Sequence, residues 1–190
     1  MKIGLYFGSF NPIHIGHLAI ANYMLEFSDM DKLWFIVSPQ NPLKKKKTLL
    51  ADHHRLRLVR TAIEFDNRFK ASNIEFDMPK PSYTIDTLTY LKEKYPDDEF
   101  ILIMGEDNLK NFHKWKNYEL ILQDYLIYVY PRDRKILEKS NYQNVTIVDA
   151  PMIEISSSFI RNAIKNKIDV RYFMHPAVAE YIKEMHFYES

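Results

Sequence analysis

Short runs of β-branched and other apolar residues alternate along this chain with longer stretches of helical periodicity, and that alternation limits the possible folds more than any other feature. Residues 3–7, 33–37, 100–104 and 126–130 read as strands that are apolar on both faces. Between and around them, residues 18–27 form a mostly apolar helix. Leu56, Val59 and Ile63 mark a second helix, and Ile85, Leu88 and Leu91 a third. Strands separated by crossover helices cannot pair as hairpins. They pair in parallel, with helices over both faces, and such sheets bind ligands at the carboxyl ends of their strands.

The expectation is therefore an α/β, Rossmann-like parallel sheet. Residues 145–148 read as the last strand. Two further helices follow, one on Phe159, Ile160, Ala163 and Ile164, the other opened by Pro176 and carrying Val178, Tyr181, Ile182 and Met185. With 190 residues and 46% hydrophobic content the chain can bury one good core and is short for two, which predicts one domain over 1–190.

Lys plus Arg number 26 against 25 for Asp plus Glu, so the overall field offers little to nucleic acid or to an anionic membrane surface. Any handling of phosphate must be local. The absence of cysteine removes disulfides, thiolate metal sites and thiol nucleophiles, and suggests a reducing compartment. The N-terminal apolar run is cut short by Asn11, Pro12 and two histidines before a leader could be completed, and no later run nears the ~18 apolar residues of a membrane span. A soluble, cytoplasmic protein is expected.

Local phosphate chemistry has an obvious candidate in GSFNPIHIGH, residues 8–17. Three of only four glycines, Gly4, Gly8 and Gly16, fall in the first 17 residues, around one strand-to-helix junction. A turn at Gly8 can aim several backbone N–H groups at one point above the strand end, and a helix starting near His14 adds its positive end there. His14 and His17, three apart, share one face of its first turn. Gly16 between them lets a flat group such as a base or ribose approach the backbone. Two histidines so placed could instead simply cap and pack, and a zinc pair would lack its third ligand.

A second candidate is ISSSFIR, residues 155–161. Three serines at a helix start give a cap and hydroxyl donors beside free N–H groups, with Arg161 on the same face as Ser158. Hydroxyls, amides and a guanidinium would clamp a triphosphate; the same run could also be a cap with solvent-facing neighbours.

Together these motifs resemble the nucleotidylyltransferases marked by His-x-Gly-His, which share an ancestral fold with class I aminoacyl-tRNA synthetases. ISSSFIR is similar to the family's Ile-Ser-Ser-Thr-x-Ile-Arg, with Ser158 in the threonine position. NPLKK (41–45), HRLRLV (54–59), PSYTIDT (81–87), GEDN (105–108) and Trp115 after Phe112 narrow the resemblance to the bacterial nicotinate mononucleotide adenylyltransferases. It runs from residue 3 to the final helices.

That resemblance implies adenylyl transfer from ATP to nicotinate mononucleotide, giving nicotinate adenine dinucleotide and pyrophosphate. It implies that Gly8, Ser9, Phe10, His14, Gly16, His17, Ser156, Ser157, Ser158 and Arg161 bind ATP, the last helices completing the nucleotide site. His14, His17, Lys44 and Arg161 would act on the reacting phosphates as positive donors. Mg²⁺ would ride mainly on the ATP phosphates, with neither a metal cage nor a tightly bound cofactor in the protein. Thr84, Gly105, Asp107 and Trp115 would receive the mononucleotide: Trp115 against the pyridine ring, Asp107 on a ribose. With Ser82 capping their helix, free N–H groups near Thr84 would select nicotinate's carboxylate over an amide. Lys46 and Lys47 read as solvated, and Glu106 stands where many relatives carry a small residue. Related transferases acting on nicotinamide mononucleotide, phosphopantetheine or cytidylyl substrates fit PSYTIDT and Trp115 less well. A non-catalytic ATP-sensing module would have little need of His14, His17 and Arg161 together.

Overall fold

β1 (Lys2–Gly8), β2 (Lys32–Val37), β3 (Phe69–Ser72), β4 (Glu99–Gly105), β5 (Leu126–Tyr130) and β6 (Val145–Ile147) form one six-stranded sheet in the order β3-β2-β1-β4-β5-β6. Every neighbouring pair is parallel. The computed structural model describes residues 1–39, 49–132 and 142–189.

The strands are apolar throughout because alternate residues feed two different cores. On β1, Ile3 and Leu5 enter one core and Tyr6 the other; on β2, Trp34 and Ile36 oppose Leu33, Phe35 and Val37. One face is covered by α1 (Ile15–Glu26), α2 (Asp52–Ala62), α6 (Ser157–Lys165) and α7 (Pro176–Glu184), through residues such as Met24, Leu58, Ile160 and Val178. The other is covered by α3 (Thr84–Lys94) and α5 (Tyr118–Asp124), through Leu88, Leu91 and Ile121. The expected parallel α/β sheet with helices on both faces is the fold observed. No helix among the described residues is long and apolar enough to cross a membrane.

Two local readings change. The sequence pattern gives no strand at FKAS, yet β3 forms there: it pairs only with β2, and Lys70 at its centre breaks any apolar run. α1 starts at Ile15 with His14 as its N-cap, as the expected helix start near His14 has it, so both Gly16 and His17 lie in its first turn. Ser82 does not cap α3. The N-cap is Tyr83, and the Ser82 hydroxyl instead donates to Glu75 Oε2 at 3.0 Å.

Candidate active site

β1 and β4 lie side by side at the centre of the sheet, and the chain leaves their carboxyl ends toward opposite faces: from Gly8 into α1, from Gly105 toward α3's side. At such a reversal the loops part and leave a crevice. Here it is a cleft of about 530 Å³. One wall carries Gly8, Ser9, Phe10, His14, Gly16 and His17 of the β1–α1 region, together with Ser156, Ser157, Ser158 and Arg161 of α6 and its cap; the facing wall carries Gly105, Asp107 and Trp115. Thr84 does not line the cleft. Lys44 and its neighbours Lys45, Lys46 and Lys47 lie outside the described residues.

The β1–α1 loop is shaped by a buried ring. Phe10, 1% exposed, is the loop's left-handed residue, with φ 44°. Gly8 is the last residue of β1 and has no positive φ, so the chain turns just beyond it. Its value is space: a Cβ there would come within 2.8 Å of the Phe10 ring. That ring meets Tyr6, Phe35 and His17 edge-on, which anchors the loop to the core.

His14 is the N-cap of α1, and its main-chain N–H donates to His17 Nδ1 at 3.3 Å. With Nδ1 accepting, the neutral His17 ring carries its proton on Nε2 and is a donor there. His14 is 5% exposed, and its Nδ1 is buried without a hydrogen-bond partner among the described residues. Burial, helped by the Arg132 guanidinium, lowers the His14 pKa to about 4. His14 is thus a neutral imidazole near pH 7, not the positive donor expected. Gly16 lines the cleft, and a Cβ there would sit 3.0 Å from His14 Nδ1, so the missing side chain also makes room for that ring.

α6 brings the second motif against the first. The Ser156 hydroxyl caps the helix by accepting the Phe159 N–H at 3.2 Å. Ser157 Oγ donates to the Pro12 carbonyl at 2.9 Å, and Arg161 Nη1 to the Asn11 carbonyl at 2.7 Å. Arg161 Nη2 also donates to Ser158 Oγ at 3.1 Å. Two motifs from opposite ends of the sequence are therefore bonded directly into one wall. The Ser157 hydroxyl proton is spent on that joint, which leaves Ser158 and Arg161 as the polar groups best placed for phosphate oxygens.

On the facing wall Gly105 is the N-cap of α4 (Glu106–Lys110). Glu106 is buried and structural: Oε2 accepts the Arg132 N–H at 3.3 Å, and Oε1 pairs with Lys110 at 2.6 Å. Asp107 pairs with Arg132 Nε at 3.3 Å. Arg132 also donates to the Tyr130 hydroxyl at 3.0 Å, which shares a hydrogen bond with Tyr6 at 3.1 Å. Half-buried Trp115 meets Phe112 edge-on at 5.1 Å between ring centroids. α3 is tied to this segment, because Lys116 pairs with Asp86 at 2.9 Å and lies over the Tyr83 ring.

Two arginines were not predicted as site residues. Arg132, two residues past the β5 run, carried the weak signal of a cation just beyond a strand's carboxyl end. Arg55, buried at 0% exposure, donates to the carbonyls of Ser9, Ser38 and Leu50 at 2.6, 2.8 and 3.0 Å. It also pairs with Asp52 at 2.6 Å. It stitches the β1–α1 loop to the end of β2 and the start of α2.

The family model described as "Cytidylyltransferase-like" matches residues 5–163. Two full-length relatives carry the name "Probable nicotinate-nucleotide adenylyltransferase". That of Flavobacterium johnsoniae is 55% identical and that of Flavobacterium psychrophilum 56%, each alignment covering 100% of both chains. The structure of Plasmodium falciparum nicotinic acid mononucleotide adenylyltransferase complexed with NaAD superposes with a TM-score of 0.85 over 99% of this chain and 97% of that one. At 20% identity, that likeness speaks for the fold alone.

Proposed function

This chain belongs to the cytidylyltransferase-like family, and from that membership and its full-length likeness to nicotinate-nucleotide adenylyltransferases we propose that it is the enzyme joining ATP to nicotinate mononucleotide. A 5′-phosphate oxygen of the mononucleotide attacks the α-phosphorus of ATP, the bond from that phosphorus to the bridging oxygen breaks, and pyrophosphate leaves. The product is nicotinate adenine dinucleotide. The attacking oxygen is already anionic, so no base and no covalent enzyme intermediate are needed.

The protein's work is to align two anions and to offset charge as it builds on the bridging and leaving oxygens. The observation that carries this reading is the wall formed by the two motifs. There His17 Nε2–H, Ser158 and Arg161 converge with the positive end of α1 on one cleft. Imidazole, guanidinium, hydroxyl and amide donors suit anionic oxygens. Mg²⁺ enters as part of the substrate, on the ATP phosphates. His14 contributes a neutral ring until phosphate charge beside it favours a proton. Lys44 keeps its proposed role near the phosphates from the family pattern alone.

The facing wall takes the mononucleotide, with the pyridine ring on Trp115 and ribose hydroxyls on Asp107. Thr84 does not line the cleft, so a part for the first-turn amides of α3 in favouring a carboxylate on the ring rests on the family pattern, with the Lys116–Asp86 pair tying α3 to the segment that carries Trp115. The test is pyrophosphate release from ATP and Mg²⁺ with nicotinate mononucleotide, nicotinamide mononucleotide and phosphopantetheine offered separately. Strong release with the first alone is expected. Release only with another acceptor would overturn the assignment of this wall, and none with any would leave an ATP-binding module.

A further inference from the structure

Four separated parts of the chain meet at Asn11, inside the phosphate-binding loop. Its side-chain Oδ1 accepts the Tyr188 hydroxyl at 2.8 Å and the Leu50 N–H at 3.2 Å, while its main-chain carbonyl accepts Arg161 Nη1 at 2.7 Å. Asn11 is 3% exposed and lines the cleft. The side chain of Asn11 is thus held by Tyr188 and Leu50, and its main-chain carbonyl holds Arg161.

Tyr188 reaches this point from beyond α7 and does not itself line the cleft. Its backbone is left-handed, with φ 68°, a conformation that a bulky residue keeps only where its surroundings fix it. Its ring packs on the core built around Phe10, Ile160 and Tyr181. Burial raises the pKa of its hydroxyl, which stays protonated, and a donor, throughout the physiological range.

We propose that Tyr188 is a positioning residue for the ATP half of the reaction: its hydroxyl holds the Asn11 side chain, and through Asn11 it fixes the carbonyl that orients Arg161. The inference rests on the adenylyl-transfer reading above. It separates two roles that a residue near the end of a helical segment could have, that of a packing plug and that of an indirect contributor to nucleotide affinity.

The experiment is Tyr188→Phe, which keeps the ring and removes the hydroxyl. Steady-state rates are measured against ATP and nicotinate mononucleotide separately, alongside the unfolding midpoint. The expected result is a KM for ATP raised about three- to tenfold, the scale of one neutral hydrogen bond. The KM for the mononucleotide should stay as in wild type and the kcat within twofold of it, while the unfolding midpoint falls only by the small amount that one lost hydrogen bond costs. In an Arg161→Ala background the same substitution should add less than twofold, because the group it orients is gone. Phe187→Leu trims packing in the same segment, and should lower the midpoint while leaving both KM values alone.

An unchanged KM for ATP in Tyr188→Phe would overturn the proposal. So would an equal rise in both KM values with a lowered midpoint, or full additivity with Arg161→Ala. Wild-type pyrophosphate release in the same assay keeps the two readings apart. Its absence would remove the proposed reaction, whereas its presence with an unaltered Tyr188→Phe enzyme would remove only the positioning role.

Discussion

The imidazole rings of His14 and His17 lie one over the other, 3.7 Å between centroids and 30° from parallel. Two protonated rings at that separation would repel strongly, and burial resolves the conflict by keeping His14 neutral, with its pKa at about 4. The pair therefore carries at most one charge near pH 7. The depressed value also links to stability. Above about pH 6.5 the ring is neutral in both folded and unfolded chains. As pH falls from there toward 4, the unfolded chain takes up a proton that the folded state refuses, and stability drops by on the order of 3 kcal/mol; below 4 both states bind it and no further loss follows. Denaturant unfolding of wild type and His14→Gln at pH 7 and pH 5 should show wild type losing about 2 kcal/mol more than the variant. Parallel losses would mean that His14 titrates normally.

His17 lines the cleft, and its Nδ1 accepts the His14 N–H. Removing a donor that acts on developing charge usually costs on the order of 10²-fold or more in turnover. His17→Ala should show that fall in kcat while its far-ultraviolet circular dichroism stays that of wild type and its stability drops by only about 1 kcal/mol. Wild-type turnover in the variant would remove His17 from the reaction.

The two ends of the site differ in how well the sequence exposed them. The parallel sheet could be read because burial on both faces leaves continuous apolar runs such as residues 100–104, and the two phosphate motifs because their residues are near neighbours in the chain. Arg55 could not be read. It sits in HRLRLV, whose alternation looks like an ordinary amphipathic helix face, and its carbonyl partners come from loops that the fold alone brings together. The Ser82 error has a similar cause. A serine before a helical run is a good cap by local rules, but Glu75 is buried and its two oxygens take the hydroxyls of Ser82 and Thr87. A buried carboxylate without those donors would cost more than an uncapped helix gains.

Trp115 is half-buried on the wall facing the phosphate motifs, propped edge-on by Phe112. A stacked ring is worth about 1–3 kcal/mol by alanine substitution. Trp115→Ala should therefore raise the KM for nicotinate mononucleotide about tenfold and leave that for ATP near its wild-type value in two-substrate kinetics. A rise confined to ATP would place the pyridine pocket elsewhere.

Arg55 is the strongest test of how the β1–α1 loop is held. Its guanidinium is buried at 0% exposure and joins the carbonyls of Ser9, Ser38 and Leu50 to the Asp52 carboxylate. Arg55→Met preserves much of the volume but takes the guanidinium from those carbonyls and leaves Asp52 with only its longer, 3.5 Å contact to Lys80. Asp52 is 30% exposed and keeps Lys80, so the cost comes mainly from the buried carbonyls that lose their donor, about 1–3 kcal/mol. Urea unfolding should show a loss of that size with an unchanged slope, since the surface exposed on unfolding is the same. Arg55→Lys keeps the charge but not the fork that reaches several acceptors at once, so it should recover only part of the loss. Because Ser9 lies in the loop that also carries His14, the folded fraction of Arg55→Met should turn over more slowly even after correction for stability. A loss below about 1 kcal/mol would show that the loop is held by Phe10 and Asn11 alone.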